Sequence, residues 1–251
     1  MRTRASSSAK ASATPESPKS LKGKPGGPEH LKGGRGQPGR PKHLISLKTG
    51  LTDSQCATLV NFAMLAQSVG YMFIPRSAPG MGEERLEIPC DYLTEFEHRR
   101  PRLTVPFLKR NGPLCRAVLR LLRWVIPKVA GELEAAGVTG MARKRCYASA
   151  ILVKPGARPQ TVHRDMSYTG MRGYYTAILP ATRHAGQGDT EFGMGEPFFT
   201  EPGSKAHRGD VPHRGGANRS PHDRVCLSLV FCDRVDLNRV GYHKIASFAC
   251  Q

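Results

Sequence analysis

The spacing of apolar residues in the first half of the chain is typical of helices. After Leu51, apolar side chains recur every three or four positions and stop at Gly70. A second run of this kind begins after Pro113, contains Pro127 and ends at Gly137. The two runs predict two amphipathic helices, the second of them kinked at its internal proline.

After Gly140 the pattern changes, because apolar and polar residues now alternate in short runs separated by Gly and Pro. The runs that predict strands are residues 146–153, 173–179, 190–192 and 224–232. Short strands at these intervals favour an antiparallel sandwich or barrel. Helices followed by strands therefore predict an α+β fold, a double-stranded β-helix (jelly roll) buttressed by N-terminal helices.

Residues 1–43 follow neither pattern, contain no aromatic residue and are rich in Ser, Pro, Gly, Lys and Arg. Their apolar surface is too small to offset the entropy of ordering, so we predict a disordered basic tail. A cleaved organellar targeting segment is the alternative, because acids are rare here. The predicted organisation is this tail or targeting segment, a helical support region at 44–140 and a jelly-roll catalytic core at 141–251.

The chain is strongly basic. Its 38 Lys and Arg residues against 20 Asp and Glu residues give a formal net charge of +18. Such a charge favours polyanions, so nucleic acid or an acidic partner bound through residues 1–43 is one interpretation of the tail. No apolar run approaches the length of a membrane span.

The cysteines indicate a reducing compartment. There are 7 of them, an odd number, and none forms a C-x-x-C pair. A disulfide framework or a structural zinc site is therefore not expected. We predict an intracellular protein, with cytoplasm, nucleus and organelle left open.

His163 and Asp165 lie two residues apart, where side chains of an extended segment share one face and converge on one ion. His213 follows at a distance that intervening strands can bridge. Two histidines and one carboxylate leave coordination positions open, as in non-haem Fe(II) oxygenases. The pair alone is weak evidence, because a surface salt bridge between Arg164 and Asp165 explains it equally well.

Arg224 begins the strand predicted at 224–232. A cation aligned with a buried face needs an anion, and a guanidinium group holds a carboxylate through two parallel hydrogen bonds. Pairing with Asp223 at the strand edge is the alternative. Arg219 competes with Arg224 for an anion, but it lies in a turn rich in Gly, Asn, Ser and Pro.

These residues resemble the 2-oxoglutarate/Fe(II)-dependent dioxygenase superfamily, especially its phytanoyl-CoA hydroxylase-like branch. The resemblance covers about residues 145–232. Three segments carry the resemblance: Pro155 to Asp165, which contains Gln160; Gly188 to Phe192; and His213 to Ser220, which contains Asn218. The position of Arg224, eleven residues after His213, also matches.

The resemblance implies a role for each residue. His163, Asp165 and His213 are expected to bind Fe(II) and form the catalytic group. Arg224 is expected to pair with the far carboxylate of the cosubstrate 2-oxoglutarate, and Gln160 to hydrogen-bond it. With O2 as the oxidant, the expected reaction is hydroxylation of an unidentified organic substrate with release of succinate and CO2. Hydroxylation is favoured because relatives that halogenate have a small residue in place of Asp165.

Several alternatives stay open. His207 stands where relatives usually carry an apolar residue, so it either supports the ligands or replaces one of them. A zinc-dependent hydrolase or lyase uses the same ligand set. A catalytically inactive basic jelly-roll protein that binds nucleic acid or another polyanion is an alternative from a different class. Neither the primary substrate nor the oligomeric state is predicted, and specificity is expected to come from loops at 75–112, 166–173 and 181–188.

Overall fold

The computed structural model describes residues 43–70, 85–94, 102–103, 112–141, 144–165, 174–182 and 189–232. All of them belong to one compact unit that spans residues 37–251. The predicted tail, the loop at 166–173 and most of the loop at 181–188 lie outside the described residues. These features, and the predicted domain boundaries, stay predictions.

The described residues form ten strands in two antiparallel sheets. The larger sheet has the order β1 (Leu44–Ser46), β8 (Lys205–Arg208), β5 (Tyr175–Pro180), β10 (Arg224–Cys232), β4 (Arg145–Val153), β2 (Arg85–Thr94) and β3 (Arg102–Leu103). The smaller sheet has the order β7 (Phe199–Thr200), β6 (Thr190–Phe192) and β9 (His213–Gly215). An isolated antiparallel bridge between His163 and His213 extends the smaller sheet beyond β9.

Two helices pack on the larger sheet. Helix α1 (Asp53–Ser68) begins with a capping box. The backbone N–H of Gln55 donates to the Thr52 hydroxyl oxygen, and the backbone N–H of Thr52 donates to the side-chain oxygen of Gln55. Helix α2 (Pro113–Ala135) begins with a proline, whose missing N–H costs no helical hydrogen bond. Within the described ranges, no helix is long and apolar enough to cross a membrane.

One face of the larger sheet forms the main core with both helices. Alternate residues of β10 point to this face and join residues of α1 and α2 that are at most 1% exposed: Leu59, Phe62, Leu122, Ile126, Val225, Leu227, Leu229 and Phe231. The opposite face of the same strands carries polar residues and looks toward the smaller sheet. Phe192 of β6 reaches across, with its ring centroid 5.5 Å from that of His207 on β8.

The prediction of a mixed fold with helices and antiparallel strands is confirmed. Strands β4 and β10 lie where the apolar runs at 146–153 and 224–232 predict them. The region 44–140 differs from the prediction, because it contributes β1, β2 and β3 to the larger sheet in addition to the helices. The pattern does not predict β2 because Pro89 interrupts it, and the pairing with β4 shifts register between Pro89 and Tyr92.

Candidate metal centre

A short antiparallel bridge places His163 and His213 side by side. The backbone N–H of each residue donates to the carbonyl oxygen of the other, and both N···O distances are 2.9 Å. The ring centroids lie 4.5 Å apart. Strand pairing therefore brings together two imidazoles that are distant in sequence.

Hydrogen bonds to the backbone orient both imidazoles. The Nδ1 atom of His163 lies 2.9 Å from the carbonyl oxygen of Thr161, and Nδ1 of His213 lies 3.0 Å from that of Val211. Because a carbonyl oxygen only accepts, each Nδ1 carries the hydrogen and each Nε2 keeps its lone pair. Metal-binding histidines in proteins are held in this way.

Asp165 completes the group. Its Oδ1 lies 3.9 Å from Nε2 of His163 and 3.7 Å from Nε2 of His213. Its Oδ2 accepts a hydrogen bond of 2.8 Å from the Thr176 hydroxyl on β5. Burial alone would raise the pKa of Asp165, but His213, His207 and His163, together with the Thr176 hydroxyl, hold that pKa below its usual value. The carboxylate is therefore an anion at neutral pH and ready to bind a cation.

The donor set fits a divalent transition metal. The three ligand atoms of His163, Asp165 and His213 all lie within 4.8 Å of one another. Their side chains are 12%, 19% and 9% exposed, so the group is lined by protein but open to a ligand. Two imidazoles and one carboxylate occupy only part of a metal's coordination sphere and leave positions for other molecules.

His207 packs behind the three ligands. Its ring centroid lies 4.2 Å from that of His213, and the residue is fully buried. Its Nδ1 lies 3.2 Å from the carbonyl oxygen of Arg208, whereas Nε2 is buried without a hydrogen-bond partner. Burial lowers the pKa of His207 to about 3. His207 is thus a neutral ring that supports His213, and among the described residues it stands outside the group that can share an ion.

Arg224 has an unpaired buried group. Its Nη1 atom is buried without a hydrogen-bond partner among the residues that the structure describes. The expected competitor for this cation, Asp223, forms an ion pair of 3.4 Å with Lys154 instead. Arg219 is exposed in the turn before β10. Of the two arginines, Arg224 is the one whose desolvated N–H calls for an anion.

The turn between His213 and Arg224 is held by a buried amide and a close backbone contact. Nδ2 of Asn218 donates to the carbonyl oxygens of Val153 and His222, both at 2.9 Å. A Cβ atom at Gly216 would lie 2.7 Å from the carbonyl oxygen of Asp189, closer than side chains approach. These contacts explain why the turn carries glycine and asparagine at these positions.

Gln160 joins the segment before His163 to β9. The side-chain Oε1 of Gln160 accepts a hydrogen bond of 2.6 Å from the backbone N–H of Gly215. The backbone N–H of Gln160 donates to the Gly215 carbonyl oxygen at 2.9 Å. The side-chain oxygen thus serves strand pairing. A hydrogen bond to a cosubstrate would come from the Nε2 atom.

Two residues beside the site are absent from the sequence-based prediction. Thr176 orients Asp165, as described above. Lys205 is 2% exposed, its Nζ has no hydrogen-bond partner, and the nitrogen lies 5.9 Å from the ring centroid of Phe192. Burial lowers the pKa of Lys205. The alternation of Lys205, Ala206 and His207 is a sequence signal for Lys205, but β8 has four residues, too few to predict a strand. Thr176 lies in the strand predicted at 173–179, and only the folded sheet brings it next to Asp165.

Solved structures share this fold, although no protein-family model matches the sequence and no curated protein is significantly similar to it. SnoK, a non-heme α-ketoglutarate-dependent carbocyclase from nogalamycin biosynthesis, aligns over 76% of this chain and 80% of its own with a TM-score of 0.52 and 14% identity. The corresponding epimerase SnoN aligns over 76% of each chain with a TM-score of 0.50 and 15% identity. A Pseudomonas putida prolyl-4-hydroxylase aligns over 76% of this chain and 93% of its own with a TM-score of 0.50 and 14% identity.

The fold is one found in 2-oxoglutarate/Fe(II) oxygenases. At this level of identity the likeness concerns the fold alone. The three relatives are named as a carbocyclase, an epimerase and a hydroxylase, so the scaffold does not determine the reaction. The ligand group of His163, Asp165 and His213 is consistent with Fe(II), 2-oxoglutarate and O2 as the cofactors.

Proposed function

We propose that the protein is an Fe(II)- and 2-oxoglutarate-dependent dioxygenase. The observation that carries this proposal is the convergence of three ligand atoms: Nε2 of His163, Nε2 of His213 and Oδ1 of Asp165. These three residues hold the iron and form the catalytic group. Bound Fe(II) supplies the redox chemistry that couples reduction of O2 to conversion of 2-oxoglutarate into succinate and CO2.

The residues around the metal position the cosubstrate. Arg224 pairs with its far carboxylate, which supplies the partner that the buried Nη1 atom lacks. Gln160 donates a hydrogen bond to it from Nε2, because its Oε1 is engaged by Gly215. Thr176 keeps Asp165 oriented toward the two imidazoles, so that the carboxylate does not rotate when a ligand enters.

The two sheets are proposed to close into the jelly roll of the phytanoyl-CoA hydroxylase-like branch. Two contacts support this arrangement: the bridge between His163 and His213 at the edge of the smaller sheet, and the approach of Phe192 to His207 between the sheets. In the superfamily that the sequence resembles, members that halogenate carry a small residue in place of Asp165. The carboxylate at this position therefore favours hydroxylation of an organic substrate over halogenation.

Anaerobic titration of the full chain with Fe(II) and 2-oxoglutarate tests the proposal. The wild type is expected to show the weak visible absorption band of a metal–cosubstrate chelate. His213→Ala should lose the band, because one of three ligands is gone. Arg224→Met should require roughly tenfold or more cosubstrate, since it removes a hydrogen bond between charged groups. Aerobic conversion of 2-oxoglutarate into succinate gives a second readout.

Arg219→Met is the matched control, because it removes an exposed arginine from the turn that precedes Arg224. It should titrate like the wild type. An effect equal to that of Arg224→Met would move the carboxylate site to the turn. Iron binding by the wild type without a chelate band at any cosubstrate concentration would refute the cosubstrate assignment.

A further inference from the structure

His207 carries a buried nitrogen that the described part of the chain leaves without a hydrogen bond. The residue is 0% exposed, and its Nε2 atom has no partner among the described residues. Its Nδ1 atom lies 3.2 Å from the carbonyl oxygen of Arg208. Because a carbonyl oxygen only accepts, Nδ1 carries the hydrogen and Nε2 offers a lone pair. A buried acceptor is costly to leave unpaired, so Nε2 calls for a hydrogen-bond donor.

The ring of His207 lies against the metal-binding group. Its centroid is 4.2 Å from that of His213. His207 is also directly opposite Thr176 on the neighbouring strand, so the two side chains share one face of the sheet. The Thr176 hydroxyl in turn donates to Asp165 at 2.8 Å. Besides burial, which has the largest effect on each, His207 and Asp165 shift the pKa of each other. His207 is therefore a direct neighbour of the ligands without being one of them.

The unpaired nitrogen points away from the backbone of β8. In an imidazole, Nδ1 is bonded to the ring carbon that carries the Cβ atom, whereas Nε2 lies at the far end of the ring. Nδ1 of His207 is engaged with the backbone at Arg208, so Nε2 projects into the space between the two sheets. The same ring meets Phe192 of the smaller sheet, with the centroids 5.5 Å apart. This space also contains the three candidate metal ligands.

No described side chain supplies the donor that this nitrogen needs. The atoms that converge on the metal position are acceptors themselves: Oδ1 of Asp165 and the Nε2 lone pairs of His163 and His213. The Thr176 hydroxyl already donates to Asp165. The carboxylate and keto oxygens of 2-oxoglutarate are acceptors as well. Water is the remaining donor, and binding to a divalent cation makes its protons more acidic and its hydrogen bonds stronger.

We propose that His207 accepts a hydrogen bond from a water molecule bound to the metal, in a coordination position that His163, Asp165 and His213 leave open. His207 is thus a positioning residue, which acts on the metal through this water. Residues that hydrogen-bond around a metal's direct ligands contribute to metal affinity in this way. The inference rests on the metal centre of the proposed function, but not on the cosubstrate or on the reaction.

Binding of Co(II) to the full chain, without 2-oxoglutarate, tests this role. Co(II) takes nitrogen and oxygen ligands, and its visible absorption reports binding. His207→Phe keeps an aromatic ring against His213 but removes the acceptor, so it should weaken Co(II) binding about tenfold or more. His207→Gln loses the ring but carries an oxygen acceptor at the far end of its side chain, so it should bind Co(II) more tightly than His207→Phe. Competition with a chelator measures each dissociation constant.

Lys205→Met is the matched control, because it removes another buried and unpaired polar atom from the same strand. It should bind Co(II) like the wild type. Circular dichroism of the metal-free variants checks that each is folded, and His207→Leu serves as the variant without an acceptor if His207→Phe does not fold.

The order of the affinities decides between a hydrogen bond and packing. Wild-type affinity of His207→Phe, or binding by His207→Gln that is no tighter than that of His207→Phe, would overturn the proposal and leave His207 with a packing role. A wild type that binds no Co(II) would refute the metal centre and this inference together. Co(II) binding in the expected order, without conversion of 2-oxoglutarate by the Fe(II)-loaded chain, would refute only the proposed activity.

Discussion

The two faces of the larger sheet consist of the same strands but differ in how their side chains are satisfied. Toward the helices, residues such as Leu227 and Leu229 are apolar and 0% exposed. Toward the smaller sheet, Lys205, His207 and Arg224 each have a buried polar atom without a hydrogen-bond partner in the described part of the chain. Side chains alternate along a strand, so the two environments are separated by a single residue. One face is apolar, whereas the other buries polar atoms that have no hydrogen-bond partner among the described residues.

The largest effect should come from the helix-facing side. Leu227→Ala is expected to lower the free energy of unfolding by about 2–5 kcal/mol, because it leaves a cavity in the main core. Ser228→Ala, at the next residue and on the other face, should change it by about 1 kcal/mol or less. Urea unfolding monitored by circular dichroism measures both. Equal losses would show that the two faces contribute alike to stability.

A smaller change in the free energy of unfolding is expected when the pH is lowered, because of His207. Burial lowers the pKa of His207 to about 3, so below its ordinary value of 6.5 the unfolded chain takes up a proton that the folded chain does not. Acid therefore favours unfolding. This group alone should lower the free energy of unfolding of the metal-free protein by about 2 kcal/mol between pH 7 and pH 5.

His207→Leu removes this proton uptake while keeping a buried side chain of similar size. Its unfolding free energy should depend less on pH than that of the wild type over the same interval. Denaturant titrations at both pH values provide the comparison. An unchanged pH dependence would show that His207 is not the group that makes the metal-free protein sensitive to acid.

The smallest expected effect is a gain. Lys205→Met should raise the free energy of unfolding by about 1 kcal/mol at neutral pH, because it replaces a buried ammonium without a hydrogen-bond partner by an apolar chain. Burial lowers the pKa of Lys205, so at alkaline pH the folded wild type loses a proton that the unfolded chain keeps, and its stability rises. The advantage of the variant should shrink accordingly. Thermal unfolding at neutral and alkaline pH tests this, and a loss of stability would contradict it.

The elements predicted from sequence are those whose pattern is local. The apolar run at 224–232 predicts β10, and the spacing between His163 and Asp165 already places two ligand groups on one side of an extended segment. Strands β8 and β9, with four and three residues, show no period that predicts them. They form because distant partners supply their hydrogen bonds, and no local pattern encodes that pairing.

The same limit applies to residues that assist the ligands. Thr176 reaches Asp165 because β5 lies beside β8 and β10, an order that only the folded sheet determines. Lys205 is charged, and charge in a sequence favours an exposed position, yet the residue is 2% exposed. Tertiary packing overrides residue type at both positions.

The reciprocal hydrogen bonds between His163 and His213 bear on when the candidate metal centre forms during folding. The two imidazoles face each other only after the segments that carry them have paired. A growing chain on the ribosome therefore holds no complete chelate until β9 has been made and has docked. Metal binding to the completed site would then shift the folding equilibrium further toward the native form by mass action. For the Fe(II) site proposed above, metal-free chains are therefore expected to be more susceptible to unfolding and to proteolysis than metal-bound chains.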